Sequence, residues 1–394
     1  MHFQTVQARE SSSFLPVARR LPIALVEGRG SRVWDVEGRE YVDLTAGWGV
    51  TAIGHCHPVL VEAISRQAGR LIQMTAAVYT LPQLDLSERL ASLTPEPLTR
   101  SFFVTSGTEA VEGAIKLAHR ATGRAKFVST EGSFHGRSLG SLSLIGRPRH
   151  RSPYEKILAA SDRVPYGDLA AMCAAVDTET AAVVVEPIQG EGGVIVPPAG
   201  YLRGLRSRCD ETGALLVFDE IQTGIGRTGR WFGLEHDDVV PDVITLGKGL
   251  GGGFPIAAFL TTEAVAKTVS VGDHGGTYAG HPLGCAASHA VLGVIAEEGL
   301  VERAAELGAR VRERLESFAA ERPDLASAVR GRGLLLGLEL CGAQLGADLQ
   351  ARALERGVLV DVTAGRVVRL FPALNVPEGD LWPALEAVLD LIRD

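Results

Sequence analysis

With 394 residues, 46% apolar and 22% charged, the chain is long enough for two domains around a large core and is not disordered in composition. A net charge of −8 argues against a nucleic-acid surface, and Arg147, Arg149 and Arg151 read as three charges on a solvated loop edge. Five scattered cysteines without a CxxC pair, no signal segment in MHFQTVQARE and no apolar run near the roughly 20 residues of a membrane helix predict a cytoplasmic protein with neither disulfide framework nor metal site.

Residues 1–46 read as an arm followed by two strands, 31–36 and 40–44, around the turn Glu37-Gly38. After AGWGVTAIGHCHP, Leu60, Ile64, Ala68 and Leu71 recur at helical spacing, with Pro58 suited to the first turn. From 101–104 a rhythm of short apolar strands and helices begins. The strands are 101–104, 127–129, 181–185, 215–218 and 243–246. Between them, Ala110, Ala114, Leu117 and Ala118 share one helix face ended by Gly123, and Leu202, Leu205 and Cys209 share another ended by Gly213. Fully apolar strands separated by helices predict an α/β fold with a mostly parallel sheet covered on both faces. After about residue 280 the pattern changes to helices 283–298 and 301–320, a strand pair at 334–340 and 366–370, and a final helix carrying Leu381, Leu385, Leu389 and Ile392. The expected division is an N-terminal arm with short strands (1–46), a large domain (47–280) and a smaller α+β domain (281–394).

The chemistry-bearing residues cluster after the predicted strands, where an α/β sheet places ligands. Asp219 ends one apolar strand, and Lys248 follows another beside a glycine loop. That pairing suits a pyridinium aldehyde: the lysine forms a Schiff base and the acid keeps the ring nitrogen protonated, so the ring becomes an electron sink. Acids and lysines at strand ends are also ordinary solvated groups. Ser106-Gly107-Thr108 at a helix N-terminus makes an anion seat or a plain N-cap. In Gly132-Ser133-Phe134-His135-Gly136-Arg137 the aromatic could stack on a planar ligand and the arginine grip a carboxylate, or the loop could be surface structure. EPIQGEGG, from Glu186 to Gly193, sets carboxylates against glycines that admit close backbone approach, and Gly275-Gly276-Thr277-Tyr278 is a candidate second phosphate contact.

The order SGTEA, SFHGR, EPIQGEGG, DEIQTGIGRTG, LGKGLGGGFP, GGTYAGHP closely resembles the class III, fold-type I aminotransferases that use pyridoxal 5'-phosphate. The resemblance runs from AGWGV to VVRLFPAL, and the FHGR, GEGG and RLFPALN forms look most like the acetylornithine/ornithine aminotransferase subgroup. It implies Lys248 as the Schiff-base lysine and proton shuttle, and Asp219 at the ring nitrogen. Gln222 would lie at the ring hydroxyl, Ile221 and Phe134 on the two ring faces, and His135 in the same loop. Ser106, Gly107 and Thr108 would hold the phosphate, and Thr277 would reach the phosphate of the other subunit, making a homodimer with shared sites. Trp48, Arg137, Glu191 and Arg369 take the family's substrate positions. Arg137 would hold the distal carboxylate, Arg369 the carboxylate on the reacting carbon, and Glu191 would mask Arg369 until that carboxylate arrives.

The chain departs from the family forms at Val111, at Gly280-His281-Pro282 and at Trp48, which faces the substrate in relatives. The implied activity is transfer of the terminal amine of an acetylornithine-, ornithine- or lysine-like donor to 2-oxoglutarate, giving glutamate and a semialdehyde. A 4-aminobutyrate or other ω-amine donor is the alternative within that chemistry, and an aminomutase or racemase the alternative outside it. No nucleic-acid or membrane partner is expected.

Overall fold

The computed structural model describes residues 2–18 and 20–394. Its centre is a seven-stranded sheet in the order Leu98–Val104, Ala257–Thr262, Val243–Leu246, Leu215–Asp219, Thr180–Val185, Lys126–Thr130, Asp162–Val164. All neighbours pair in parallel except Ala257–Thr262, which runs antiparallel to both strands beside it. Thr180–Val185 is buried along its whole length, as a β-branched run covered on both faces requires. The parallel, helix-covered sheet read from the apolar rhythm is therefore present. Two strands of it, Ala257–Thr262 and Asp162–Val164, lie outside that rhythm.

The helix Gly107–Thr122 turns Ala110, Val111, Ala114, Leu117 and Ala118 onto one sheet face. It stops at Gly123, whose φ of 69° is the left-handed cap that glycine adopts without a Cβ clash. The helix Tyr201–Thr212 buries Leu202, Leu205 and Cys209 and is closed in the same way by Gly213. Helices and apolar strands thus alternate, so the carboxyl ends of the parallel strands gather along one edge. Asp219 pairs with Thr245 in register, and Val185 with Phe218, so the loops beginning at Glu186, Glu220 and Gly247 emerge side by side.

Two smaller sheets flank this edge. Arg32–Asp35 and Glu40–Asp43 form the expected hairpin, joined on one side by Leu25–Arg29 and on the other by Val358–Leu359 from near the opposite end of the chain. The second is antiparallel, in the order Ala326–Arg332, Leu335–Leu340, Val367–Leu370, Asp361–Thr363. Its register sets Arg369 opposite Gly337 on one side and opposite Asp361 on the other. The helices Pro282–Glu297 and Leu300–Glu321, and the last helix Glu378–Arg393 with Leu381, Leu385, Leu389 and Ile392 buried, complete the core. Among the described residues no single helix is long and apolar enough to cross a membrane.

Candidate active site

At the sheet edge lies a cavity of about 190 Å³ whose lining brings together Lys248, Asp219, Gln222 and Glu186 with Ile221, Phe134, Gly107 and Thr108. Lys248 opens the short turn after Val243–Leu246 and is held at φ +42°, a left-handed backbone that side-chain-bearing residues rarely adopt. Its Nζ donates to Gln222 Oε1 at 2.6 Å. Burial, with Arg369 nearby, lowers the Lys248 pKa, which favours the neutral, nucleophilic amine.

Asp219 is buried at the end of the adjacent strand. One carboxylate oxygen accepts from the backbone N–H of Ile221 and from Thr245 Oγ1, each at 3.1 Å. The other takes His135 Nδ1 at 2.8 Å, which assigns that nitrogen as the donor. Burial pulls the His135 pKa down, but the hydrogen bond and charge of Asp219 outweigh it and leave it raised. Glu186 lies beneath, fully buried, and is pushed up to about 7 by burial despite accepting from the N–H groups of Phe134 and Gly190.

The walls are shaped by close backbone approach. A Cβ on Gly107 would stand 2.8 Å from Ile221 Cδ1, and one on Gly136 2.3 Å from Thr108 Oγ1. Ser106 stands at the N-cap position of the helix Gly107–Thr122, and its hydroxyl donates to Glu109 Oε2 at 3.1 Å instead of capping a backbone N–H. Thr108 Oγ1 accepts from the backbone N–H groups of Arg137 at 3.2 Å and Ser138 at 3.1 Å. The first turn of this helix therefore opens onto the cavity with amides that have no partner inside the helix, a seat for an anion.

Beside the cavity is a group of four charges. Arg369, with its side chain only 1% exposed, donates through Nη2 to Glu191 Oε1 at 2.7 Å. Its Nε donates to Asp361 Oδ2 at 2.9 Å, and its guanidinium lies 4.4 Å from the Phe371 ring centre. Glu191 Oε2 accepts from Arg147 Nη1 at 2.9 Å. Arg147 is thus no solvated edge; its side chain is 14% exposed and ion-paired. Arg151, 12% exposed, likewise pairs with Glu155. His150, packed edge-on to Phe134, is pushed down to about 4 by burial and by Arg137, Arg149 and Arg147 around it.

Of the residues singled out in the sequence, Gly107, Thr108, Phe134, His135, Glu191, Asp219, Ile221, Gln222 and Lys248 line this one cavity. Ser106 stands at the N-cap position of its helix, and Arg369 lies behind Glu191. Arg137 is exposed at the rim, its guanidinium 5.5 Å from the Phe134 ring centre. Trp48 and Thr277 stand apart. Trp48 is 65% exposed and borders a groove with the N-terminal helix Phe3–Ser11, while exposed Thr277 accepts from Gln73 through its carbonyl. Arg147 was read from the sequence as a solvated edge and not as part of this group, and Asp361 was not singled out. Their only signal was a charge placed where its partner comes from another part of the chain.

This residue set fits pyridoxal phosphate. It offers an amine of lowered pKa, a buried carboxylate, two apolar walls and an anion seat around one small cavity. Buried Gln222 Nε2 and His135 Nε2 are left without hydrogen-bond partners there.

The model of the class III aminotransferases matches residues 15–392. The chain is 48% identical to the acetylornithine aminotransferase of Methanopyrus kandleri over 374 residues, covering 95% of each. It is 47% identical to the Mycobacterium tuberculosis enzyme of the same name, covering 94% of this chain and 92% of that one. Among solved structures, the ornithine aminotransferase of Toxoplasma gondii superposes with a TM-score of 0.95 at 31% identity, covering 100% of this chain and 95% of that one. The acetylornithine aminotransferase of Elizabethkingia anophelis gives 0.87 at 32%, covering 100% and 99%. In a second Toxoplasma structure, with a TM-score of 0.93 at 32% identity, covering 99% of this chain and 94% of that one, PLP partly occupies the active site. The chain belongs to the class III aminotransferases and is a fold-type I transaminase whose cofactor is pyridoxal 5'-phosphate.

Proposed function

We propose that the enzyme transfers the terminal amino group of an acetylornithine- or ornithine-like donor to 2-oxoglutarate, yielding glutamate and a semialdehyde. The observation that carries this reading is the Arg369–Glu191 pair at the edge of the Lys248 cavity. A terminal amine brings no carboxylate on its reacting carbon, and without Glu191 the side of the buried Arg369 guanidinium that Asp361 does not cover would lack a partner. Glu191 is that partner while the donor is bound. Glutamate or 2-oxoglutarate carries a carboxylate on the reacting carbon, which takes Arg369 in place of Glu191. Arg137 at the rim holds the distal carboxylate in both halves.

Pyridoxal phosphate, when bound, supplies an aldehyde for exchange with amines and a protonated ring that draws in electron density. The other tasks fall to the chain. Lys248 Nζ holds the cofactor, then moves the proton to and from the substrate carbon. Asp219 keeps the proton on the ring nitrogen, and His135 keeps Asp219 oriented. Phe134 and Ile221 hold the ring between them and exclude water. Ser106, Gly107 and Thr108 hold the phosphate, with Thr277 of one subunit completing the site of the other in a homodimer.

The test is a panel of acetylornithine, ornithine, lysine and 4-aminobutyrate with 2-oxoglutarate, scored for glutamate. Acetylornithine or ornithine should give the highest kcat/KM. Preference for 4-aminobutyrate, or interconversion of substrate without glutamate, would overturn the assignment.

A further inference from the structure

The Arg369–Glu191 pair is held from outside by a residue with no place in the mechanism so far. Gly146 precedes Arg147 and is pressed onto the Thr130–Gly132 turn, where a Cβ would stand 2.1 Å from the Thr130 carbonyl oxygen. Gly146 N–H donates to Ser133 Oγ at 3.0 Å, and its carbonyl accepts from Gly132 N–H at 3.1 Å. The backbone that launches Arg147 is therefore pinned to the same loop that carries Phe134 and His135. From this fixed base Arg147 Nη1 reaches Glu191 Oε2 at 2.9 Å, while Glu191 Oε1 remains on Arg369 at 2.7 Å. Each carboxylate oxygen has its own arginine.

Arg369 is arranged to match. Asp361 occupies its Nε side, and Nη1 is buried without a partner. Asp361 Oδ2 also lies 2.8 Å from Nη2, so a carboxylate arriving at Nη1 and Nη2 displaces Glu191 Oε1 while Asp361 keeps its place against Nε and Nη2.

We propose that Arg147 is a positioning residue for the carboxylate switch: it retains Glu191 when a substrate carboxylate displaces it from Arg369. This rests on the reading that Glu191 masks Arg369. With Arg147 present, the displaced glutamate keeps a charged partner in a partly buried setting. Without it, leaving Arg369 strands a carboxylate, so the mask is harder to remove. Arg147 thus favours the dicarboxylate half of the reaction and does nothing for the terminal amine, during which Glu191 stays where it is.

Stopped-flow measurement of the two half-reactions tests this on holoenzyme, with glutamate and with acetylornithine as the terminal-amine probe. R147Q should raise the apparent Kd for glutamate roughly tenfold, the scale of one charged hydrogen bond, with its limiting rate nearly kept and acetylornithine affinity not weakened. Calorimetric titration with glutarate, which cannot react, should show a similar loss. R147K should recover much of it, and R147Q should add nothing in an E191Q background, because Arg147 acts through Glu191. Equal weakening of both halves would overturn the proposal in favour of direct substrate contact or a structural role, as would an R147Q effect that persists without Glu191. If E191Q itself slows both halves alike, the masking reading falls first. If E191Q is selective for the amine half and R147Q changes neither, the masking reading stands and the proposal alone falls.

Discussion

Lys248 combines a left-handed backbone with an amine whose pKa burial lowers, and the two have separate consequences. Lys248→Ala should lower transamination by several orders of magnitude and abolish covalent attachment of the cofactor, readable as loss of protein-bound cofactor absorbance after borohydride reduction and gel filtration in denaturant. The stability consequence has a definite sign. Above the ordinary lysine value of 10.5 the amine is neutral folded and unfolded, and nothing depends on pH. As pH falls below it the unfolded chain takes up a proton that the fold resists, so folding loses stability until the lowered folded value is passed. Apo-enzyme melts should therefore show Lys248→Met gaining on the wild type as pH falls through that window, then holding a constant lead. A gap that stays flat throughout would mean the amine is not held neutral by the fold. Asp219→Asn should slow proton abstraction at the substrate carbon by about 10²-fold, the scale of one lost preorganised charge, while the cofactor still binds. The meeting of Lys248 and Asp219 was legible in the sequence because Asp219 ends an apolar strand, Lys248 follows another, and each sits in a local motif. Arg147 and Asp361 were not, for a physical reason. Arg147 meets Glu191 only because Gly146 packs on a distant turn, and Asp361 meets Arg369 only through the register of an antiparallel pair.

At the scale of the element, the helix Gly107–Thr122 shows what a pattern carries. Its buried face and its Gly123 stop follow from apolar spacing and from a residue that tolerates φ of 69°. The close approach of its first turn to Ile221 does not, since nothing local marks it. Gly107→Ala would put a methyl 2.8 Å from Ile221 Cδ1, and Ile221 would have to move into the cavity wall. The expected result is cofactor affinity weaker by roughly tenfold or more, from titration of the apo-enzyme, with the melting temperature nearly unchanged. An unaltered affinity would show that the wall yields freely. The strand Ala257–Thr262 was unread for a different reason. Its neighbours follow a strand-then-helix rhythm, whereas it returns antiparallel after the glycine loop and slots between strands far apart in sequence. Val358–Leu359 joins the N-terminal hairpin across most of the chain, and a two-residue strand has no periodicity to read.

Among the described residues, several large apolar side chains stand exposed on the segments 72–81 and 271–278. Ile72, Tyr79, Leu81, Val271 and Tyr278 are 55%, 105%, 72%, 109% and 60% exposed. The segments that carry them are tied together, because Gln73 donates to the Thr277 carbonyl and the N–H of Leu283 donates to that of Ile72 at 3.3 Å. Apolar groups gathered at this density mark an interaction surface more than a solvated one. The proposed homodimer would bury it and would bring Thr277, which does not line the cavity of its own chain, to the site of the other. Assembly and activity should then fail together. Tyr79→Glu combined with Val271→Glu should shift sedimentation toward the monomer and remove most activity, in proportion to the dimer lost. Thr277→Ala should leave sedimentation alone and weaken cofactor binding, because it removes a phosphate contact and leaves the apolar surface intact. The double variant sedimenting as a monomer with full activity would end the shared-site reading, and a dimer that persists in it would place the contact elsewhere on the surface.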